Sequence, residues 1–130
     1  MKTILVVDNE SGSSSIEAIL QRRGFRGIIA RSAREALIII RNDRSIDLVV
    51  TEMQLPDMDG LHFLTAVRSI AQGLPIIVAT NSGSIESYLH AVNLGVYEYL
   101  NKPVLPKELI RIARIALANP RPSTSMREAS

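Results

Sequence analysis

The sequence predicts an α/β fold in which five parallel strands alternate with five helices, a (βα)5 doubly wound sheet. Three observations carry this. Five short apolar, β-branched runs recur at Thr3–Val7, Gly27–Ala30, Asp47–Thr51, Pro75–Ala79 and Val96–Leu100. They show little polar alternation, as strands covered on both faces do. Their starts lie 24, 20, 28 and 21 residues apart, one βα unit each, and right-handed crossovers then place helices on both faces.

The intervening segments have helical spacing. Ile16, Ile19 and Leu20 form an i, i+3, i+4 stripe that ends at Arg22, Arg23 and Gly24. Ser14 with Glu17 offers a capping box for this first helix. Ser32 with Glu35 is a second capping box, ahead of Ala33, Ala36, Leu37 and Ile40. Ile38 and Ile39 make this helix apolar beyond one stripe, as either a wide buried face or an exposed patch. Asp59-Gly60 opens a third helix carrying Leu61, Leu64, Ala66 and Val67, with Asp57 and Asp59 assigned to the turn and the N-cap. Ile85, Tyr88, Leu89 and Val92 form a fourth, closed by Gly95. Pro106 lies near the first turn of the last, which carries Leu109, Ile112, Ala113 and Ala116. Two prolines and four hydroxyl residues fill Asn119–Ser130, which reads as a flexible tail or linker after a folded domain at 1–118.

Composition excludes several classes. A chain of 130 residues is one domain, and 46% hydrophobic residues exclude a disordered one. The absence of cysteine removes disulfides, thiolate metal sites and a thiol nucleophile. A net charge of +2 with dispersed basic residues gives no nucleic-acid footprint. No run approaches a membrane span, and the N-terminal apolar run is too short for a signal peptide. The expectation is a soluble, cytoplasmic domain with neither membrane nor nucleic-acid contact.

In a doubly wound sheet the site lies beyond the C-terminal ends of the strands. Those ends carry Asp8, Asn9 and Glu10; Glu52 and Gln54; Thr80 and Asn81; and Asn101, Lys102 and Pro103. Clustered carboxylates repel unless a hard cation sits among them, and a lysine with a hydroxyl suits a phosphoryl group.

The motifs Val7-Asp8-Asn9-Glu10, Asp47 through Leu61, Thr80, and Leu94 through Pro103 fall in order at successive strand ends. With them the chain resembles the receiver domain of two-component response regulators, over residues 2–118. The resemblance implies a flavodoxin-like sheet of order 2-1-3-4-5 and a signalling domain that is not an enzyme beyond accepting and losing its own phosphoryl group. It implies an aspartate after strand 3 that takes a phosphoryl group from a sensor histidine kinase. It implies magnesium held by the acidic pair after strand 1, that acceptor and a backbone carbonyl two residues on. Carried over, Lys102 takes the lysine role, Thr80 the hydroxyl role, Tyr99 the switch aromatic's place and Gln54 supplies the carbonyl. Whether Tyr99 points in or out is left open. A cis Lys102-Pro103 bond is implied, as is a first helix starting nearer Ser11. Homodimerisation through the helix 4–strand 5–helix 5 face is a further family expectation, with Tyr88, Ala91, Tyr97 and Ile110 as its candidates. The tail resembles the linker to an output domain.

Two positions depart from the pattern. Glu52 stands at the phosphoacceptor position, and Asn9 is the second member of the acidic pair. Glutamate moves its carboxylate by roughly 1 Å, and such a misplacement costs on the order of 10²-fold in positioned chemistry. Its reach also brings an anion toward Lys102 and Thr80. An amide is a poorer magnesium ligand than a carboxylate, so a site of Asp8, Asn9, Glu52 and the Gln54 carbonyl is expected to bind metal weakly if at all. The expectation is an atypical receiver, a pseudo-receiver, that signals by protein contacts. The alternatives are a working magnesium-dependent phosphoacceptor and, remotely, a flavin-binding protein using the Ser11–Ser15 loop as a phosphate cradle. His62 and His90 are read as solvated.

Overall fold

The computed structural model describes residues 1–10, 12 and 15–119. Elements alternate without exception: β1 (Thr3–Val7), α1 (Ile16–Arg22), β2 (Arg26–Ala30), α2 (Ala33–Asn42), β3 (Leu48–Thr51), α3 (Gly60–Ile70), β4 (Ile76–Thr80), α4 (Ile85–Asn93), β5 (Glu98–Asn101) and α5 (Pro106–Ala118). The strands are parallel in the order β2-β1-β3-β4-β5.

Side chains alternate across each strand, so the sheet buries two apolar layers. Leu5, Val7, Val49, Ile76 and Val78 face α2 and α3 and the buried Ala91 of α4. Ile4, Val6, Leu48, Val50, Ile77 and Ala79 face α1 and α5. The central strands β1, β3 and β4 are buried throughout, whereas the edge strands β2 and β5 are partly exposed. Continuous apolar runs therefore mark the interior strands best. The fifth strand starts later than its apolar run suggests: Val96 and Tyr97 are buried but precede β5.

Several local expectations change. Ser15 is the N-cap of α1, its Oγ accepting from Ala18 N at 3.3 Å; Ser11, Ser13 and Ser14 lie outside the described residues, as does the tail beyond Asn119. Ser32 caps α2 through Glu35 N, and Glu35 accepts in return from Arg31 N rather than from the cap residue itself. Of the two extra isoleucines on α2, Ile38 is exposed while Ile39 is partly buried and packs against the core. Asp59 occupies the N-cap position of α3, yet its side chain makes no capping bond. Asp57 does not serve its own turn alone: its carboxylate accepts from Ala33 N and Arg34 N, both at 2.9 Å, and so caps α2 from across the domain. His62 and His90 are exposed.

Three of the four proposed dimer-face residues are corrected. Ala91, Tyr97 and Ile110 are buried in the core and cannot present themselves to a partner. On α4 the exposed apolar side chains are Ile85, Leu89 and, at the margin, Tyr88.

Candidate functional site

Parallel strands end at the same edge, so the sheet brings together the residues just beyond β1, β3, β4 and β5. Asp8 is buried directly beyond β1, its Oδ1 accepting from Glu10 N at 3.0 Å. Glu52 is buried directly beyond β3. Thr80 ends β4 with no exposed surface. Lys102 comes after β5, and its backbone N–H donates to the Thr80 carbonyl at 2.9 Å. The Lys102-Pro103 bond is cis.

The loop after Glu52 folds tightly back. Gln54 bridges to Asp59, and a Cβ on Gly60 would stand 2.5 Å from the Met53 carbonyl oxygen. Only glycine permits α3 to start so close to that backbone. The fold-back presents two amides to the glutamate: Met53 N and Gln54 N donate to Glu52 Oε1 at 2.7 and 3.3 Å. Oε2 meets Asn81 N at 3.4 Å and Lys102 Nζ at 3.2 Å. Three backbone N–H groups and one ammonium thus converge on the Glu52 carboxylate. Burial alone pushes this carboxyl's pKa up, but hydrogen bonds from Thr80, Met53, Gln54 and Lys102 outweigh it and hold the pKa below the usual glutamate value.

Lys102 is equally well surrounded. Its ammonium lies 2.7 Å from Asp8 Oδ2, 3.2 Å from Glu52 Oε2 and 3.3 Å from Glu10 Oε1. Burial disfavours the charge, but the Asp8 and Glu52 carboxylates raise its pKa above the usual lysine value. The ammonium therefore stands as the cation among the acids.

This bears on magnesium. Asn9 is exposed, and among the described residues no group of three or more His, Cys, Asp or Glu is placed to hold a metal ion. With one carboxylate replaced by an amide and Lys102 bonded to the others, the donor set as arranged does not fit an octahedral magnesium.

The sequence-predicted residues Asp8, Glu52, Thr80 and Lys102 meet here. Asn9 does not join them by any bond, and Gln54 pairs with Asp59. Tyr99 stands apart, half-buried, its hydroxyl 3.0 Å from Ser87 Oγ and its ring edge-on to Tyr88. Sequence reasoning did not anticipate the part of Glu10, whose carboxylate reaches Lys102, nor the Met53, Gln54 and Asn81 amides, which carry no side-chain signal. Nor did it foresee a cleft of about 410 Å³ beside Lys102, lined by Ile16, Ile19 and Arg22 on one side and Pro103 and Val104 on the other.

Comparison with known proteins agrees with this architecture. The response regulator receiver domain signature matches residues 4–114. The transcriptional regulatory protein GlrR of Escherichia coli K12 is 29% identical over 95% of the chain, which spans 28% of that protein. The response regulator MprA of Mycolicibacterium vanbaalenii is 33% identical over 98% of the chain, which spans 55% of it. A CheY-like receiver domain protein from Methanospirillum hungatei superposes with a TM-score of 0.86 and 30% identity, covering 92% of this chain and 96% of that one. The sheet order, the site at its C-terminal edge and the signature over most of the chain agree: the protein belongs to the response regulator receiver domain family of two-component signalling.

Proposed function

We propose that this is an atypical receiver that signals through protein contacts without depending on phosphoryl transfer. Receivers of this family use the strand-3 acid as phosphoacceptor, with Lys102 and Thr80 standing at the lysine and hydroxyl positions. The observation that carries the reading is the Glu52 carboxylate itself: it takes the Lys102 ammonium at 3.2 Å and the Met53, Gln54 and Asn81 amides as its own partners. An anion in that cradle occupies the amides and the ammonium that an incoming phosphoryl group would need, and it holds Lys102 as a phosphoryl oxygen would. One charge and two oxygens make the mimicry partial.

Magnesium enters this reading as a weak ligand. The family's metal site needs its acids free, and here Asp8 and Glu52 are bonded to Lys102. The partners are then a sensor kinase or another signalling protein, and an output module to which the receiver relays its state, in keeping with relatives named as transcriptional regulators. The folded receiver spans 1–118, with 119–130 as linker. Homodimerisation would use Ile85, Tyr88 and Leu89 of α4, which are exposed.

The test is incubation of the parent and Glu52→Asp with acetyl phosphate and magnesium, then intact-mass spectrometry. The reading expects no stoichiometric phosphoryl adduct on the parent. A full adduct on Glu52 would establish the other reading, a working magnesium-dependent phosphoacceptor.

A further inference from the structure

The edge of the sheet opposite the site gathers basic residues. Lys2 precedes β1, Arg23 ends α1, Arg26 opens β2, Arg41 lies in the last turn of α2 and Arg44 follows that helix. Along the sequence they are scattered from position 2 to position 44, so no basic run marks them. Each crossover helix returns antiparallel to the strands, which brings the ends of α1 and α2 back to the N-terminal edge of the sheet. There Arg26 pairs in register with Thr3, and its N–H donates to the Lys2 carbonyl at 3.0 Å. The turn that carries Arg44 is fastened to the same place, since Asp47 Oδ2 accepts from Thr3 N at 2.8 Å. Bonds from Ser45 lower the Asp43 pKa, and the nearby charge of Arg26 lowers it further.

The fold makes little use of these five side chains. All are exposed, and none forms an ion pair among the described residues. Arg68, Lys102 and Arg111, by contrast, are committed to carbonyls, to the site acids and to Glu108. Two acids share the edge, and both are engaged, Asp43 by Ser45 N and Asp47 by Thr3 N. Glu17 lies against Gly27 of β2, and Glu98 opens β5 at the other end of the sheet. The helix dipole accounts for basic residues at the ends of α1 and α2. It does not account for Lys2, Arg26 and Arg44, which stand at strand starts and in a turn.

We propose that this edge is a docking surface for the phosphate backbone of duplex nucleic acid. Four of the five residues are arginines, whose planar forks pair bidentately with phosphate oxygens. A duplex carries one charge per roughly 1.7 Å of its axis, dense enough to meet several of them at once. An acidic peptide fits less well. The cleft of about 390 Å³ at this edge has Asp43 and Asp47 in its own walls, beside Lys2 and Arg44, so a carboxylate entering it meets carboxylates. A lipid surface fits less well too, because the exposed Met1, Ile38 and Ile115 stand on separate parts of the fold and form no apolar stripe. The edge lies the length of β1, about 16 Å, from Asp8. The inference is therefore independent of the reading of Glu52. Basic residues dispersed along the chain give no footprint in the sequence, yet folding collects them.

The test is fluorescence anisotropy of a labelled mixed-sequence DNA duplex titrated with the full chain, from about 50 to about 200 mM salt. Contact with four or five phosphates predicts a slope of about −4 in log affinity against log salt, a loss of roughly 10²-fold over that range. Arg23→Gln, Arg26→Gln and Arg44→Gln combined should weaken binding at least about 10-fold and reduce the slope by about 3. Lys107→Gln, Arg111→Gln and Arg114→Gln combined remove the same charge from exposed positions of α5 and should leave the affinity within about threefold. Amide spectra of the parent, which need no variant, should show the duplex shifting Lys2, Arg23, Arg26 and Arg44 while sparing Glu52 and Lys102. Absence of binding at the lowest salt, equal losses in the two triple variants, or shifts confined to other residues would overturn the proposal. So would tighter binding to polyglutamate or to phosphatidylserine vesicles than to the duplex.

Discussion

The Lys102 ammonium stands 3.2 Å from Glu52 Oε2, and each of the two side chains is only 8% exposed. Two opposite charges so nearly removed from water are kept only because each is further bonded. Lys102 has Asp8 and Glu10, and Glu52 has three backbone amides.

Removing the cation should therefore cost more than removing the anion. Lys102→Met leaves Asp8, Glu10 and Glu52 facing one another, and we expect a loss of about 3–5 kcal/mol. Glu52→Gln leaves Lys102 with two carboxylates and should cost about 1–3 kcal/mol. Urea denaturation of both variants at neutral pH checks the order. Equal losses would show that Asp8 and Glu10 do not share the ammonium.

Stability should fall in acid and at high pH, for opposite reasons. The Glu52 carboxyl is held below its usual value of 4.5, so its contribution is present above that pH and is lost as pH falls through the lower folded value. Lys102 is held above its usual 10.5, so its contribution is complete below that pH and is lost as pH rises through the higher folded value. Glu52→Gln should flatten the acid limb below about pH 4.5 relative to the parent. Chemical denaturation across that range is the measurement, and parallel curves for the two proteins would contradict it.

Asp57 joins the loop after the site to α2. Its carboxyl pKa is lowered chiefly by the Arg34 amide, with Ala33 also donating. Loss of a helix cap costs about 0.5–2 kcal/mol, and Asp57→Ala should fall in that range. Hydrogen exchange should show the first turn of α2 opening more often, while α3 is spared.

Arg68 is a structural clamp. From α3 its guanidinium donates to the carbonyls of Leu94 and Gly95, both at 2.8 Å, and to that of Leu74 at 2.6 Å. It thereby fixes the end of α4 to the start of β4. Arg68→Met strands these acceptors and should cost about 1–3 kcal/mol per unsatisfied buried group at most. Arg68→Lys cannot restore the fork geometry, so thermal melts should place it nearer Arg68→Met than the parent.

These residues show where the sequence was legible. Interior strands such as β1 and β4 announce themselves because both faces are buried, and the spacing of their runs then dictates a parallel sheet. Once strands are parallel, Asp8, Glu52, Thr80 and Lys102 must share an edge. Bonds between distant segments could not be read where the residues making them have a good local explanation. Asp57 looks like a turn residue, yet caps a helix 24 positions away; Arg68, which carried no sequence signal, sits in the last turn of α3 and bonds a carbonyl 26 positions on. The resemblance placed Tyr97 and Ile110 on a surface, but Tyr97 precedes an edge strand whose short run does not say which way it faces, and Ile110 sits among the buried residues of α5. Glu10 was legible as a strand-end acid, but its bond to Lys102 was not, because a turn hides where its carboxylate points.

The most direct measurement of the central claim is the amide spectrum of the parent and of Glu52→Asp, each with and without beryllofluoride and magnesium. If the Glu52 carboxylate already fills the cradle made by Lys102 and the Met53, Gln54 and Asn81 amides, the parent's resonances there should stay where they are, while those of Glu52→Asp shift. Large shifts in the parent at Asn81, Lys102 and Tyr99 would contradict the account.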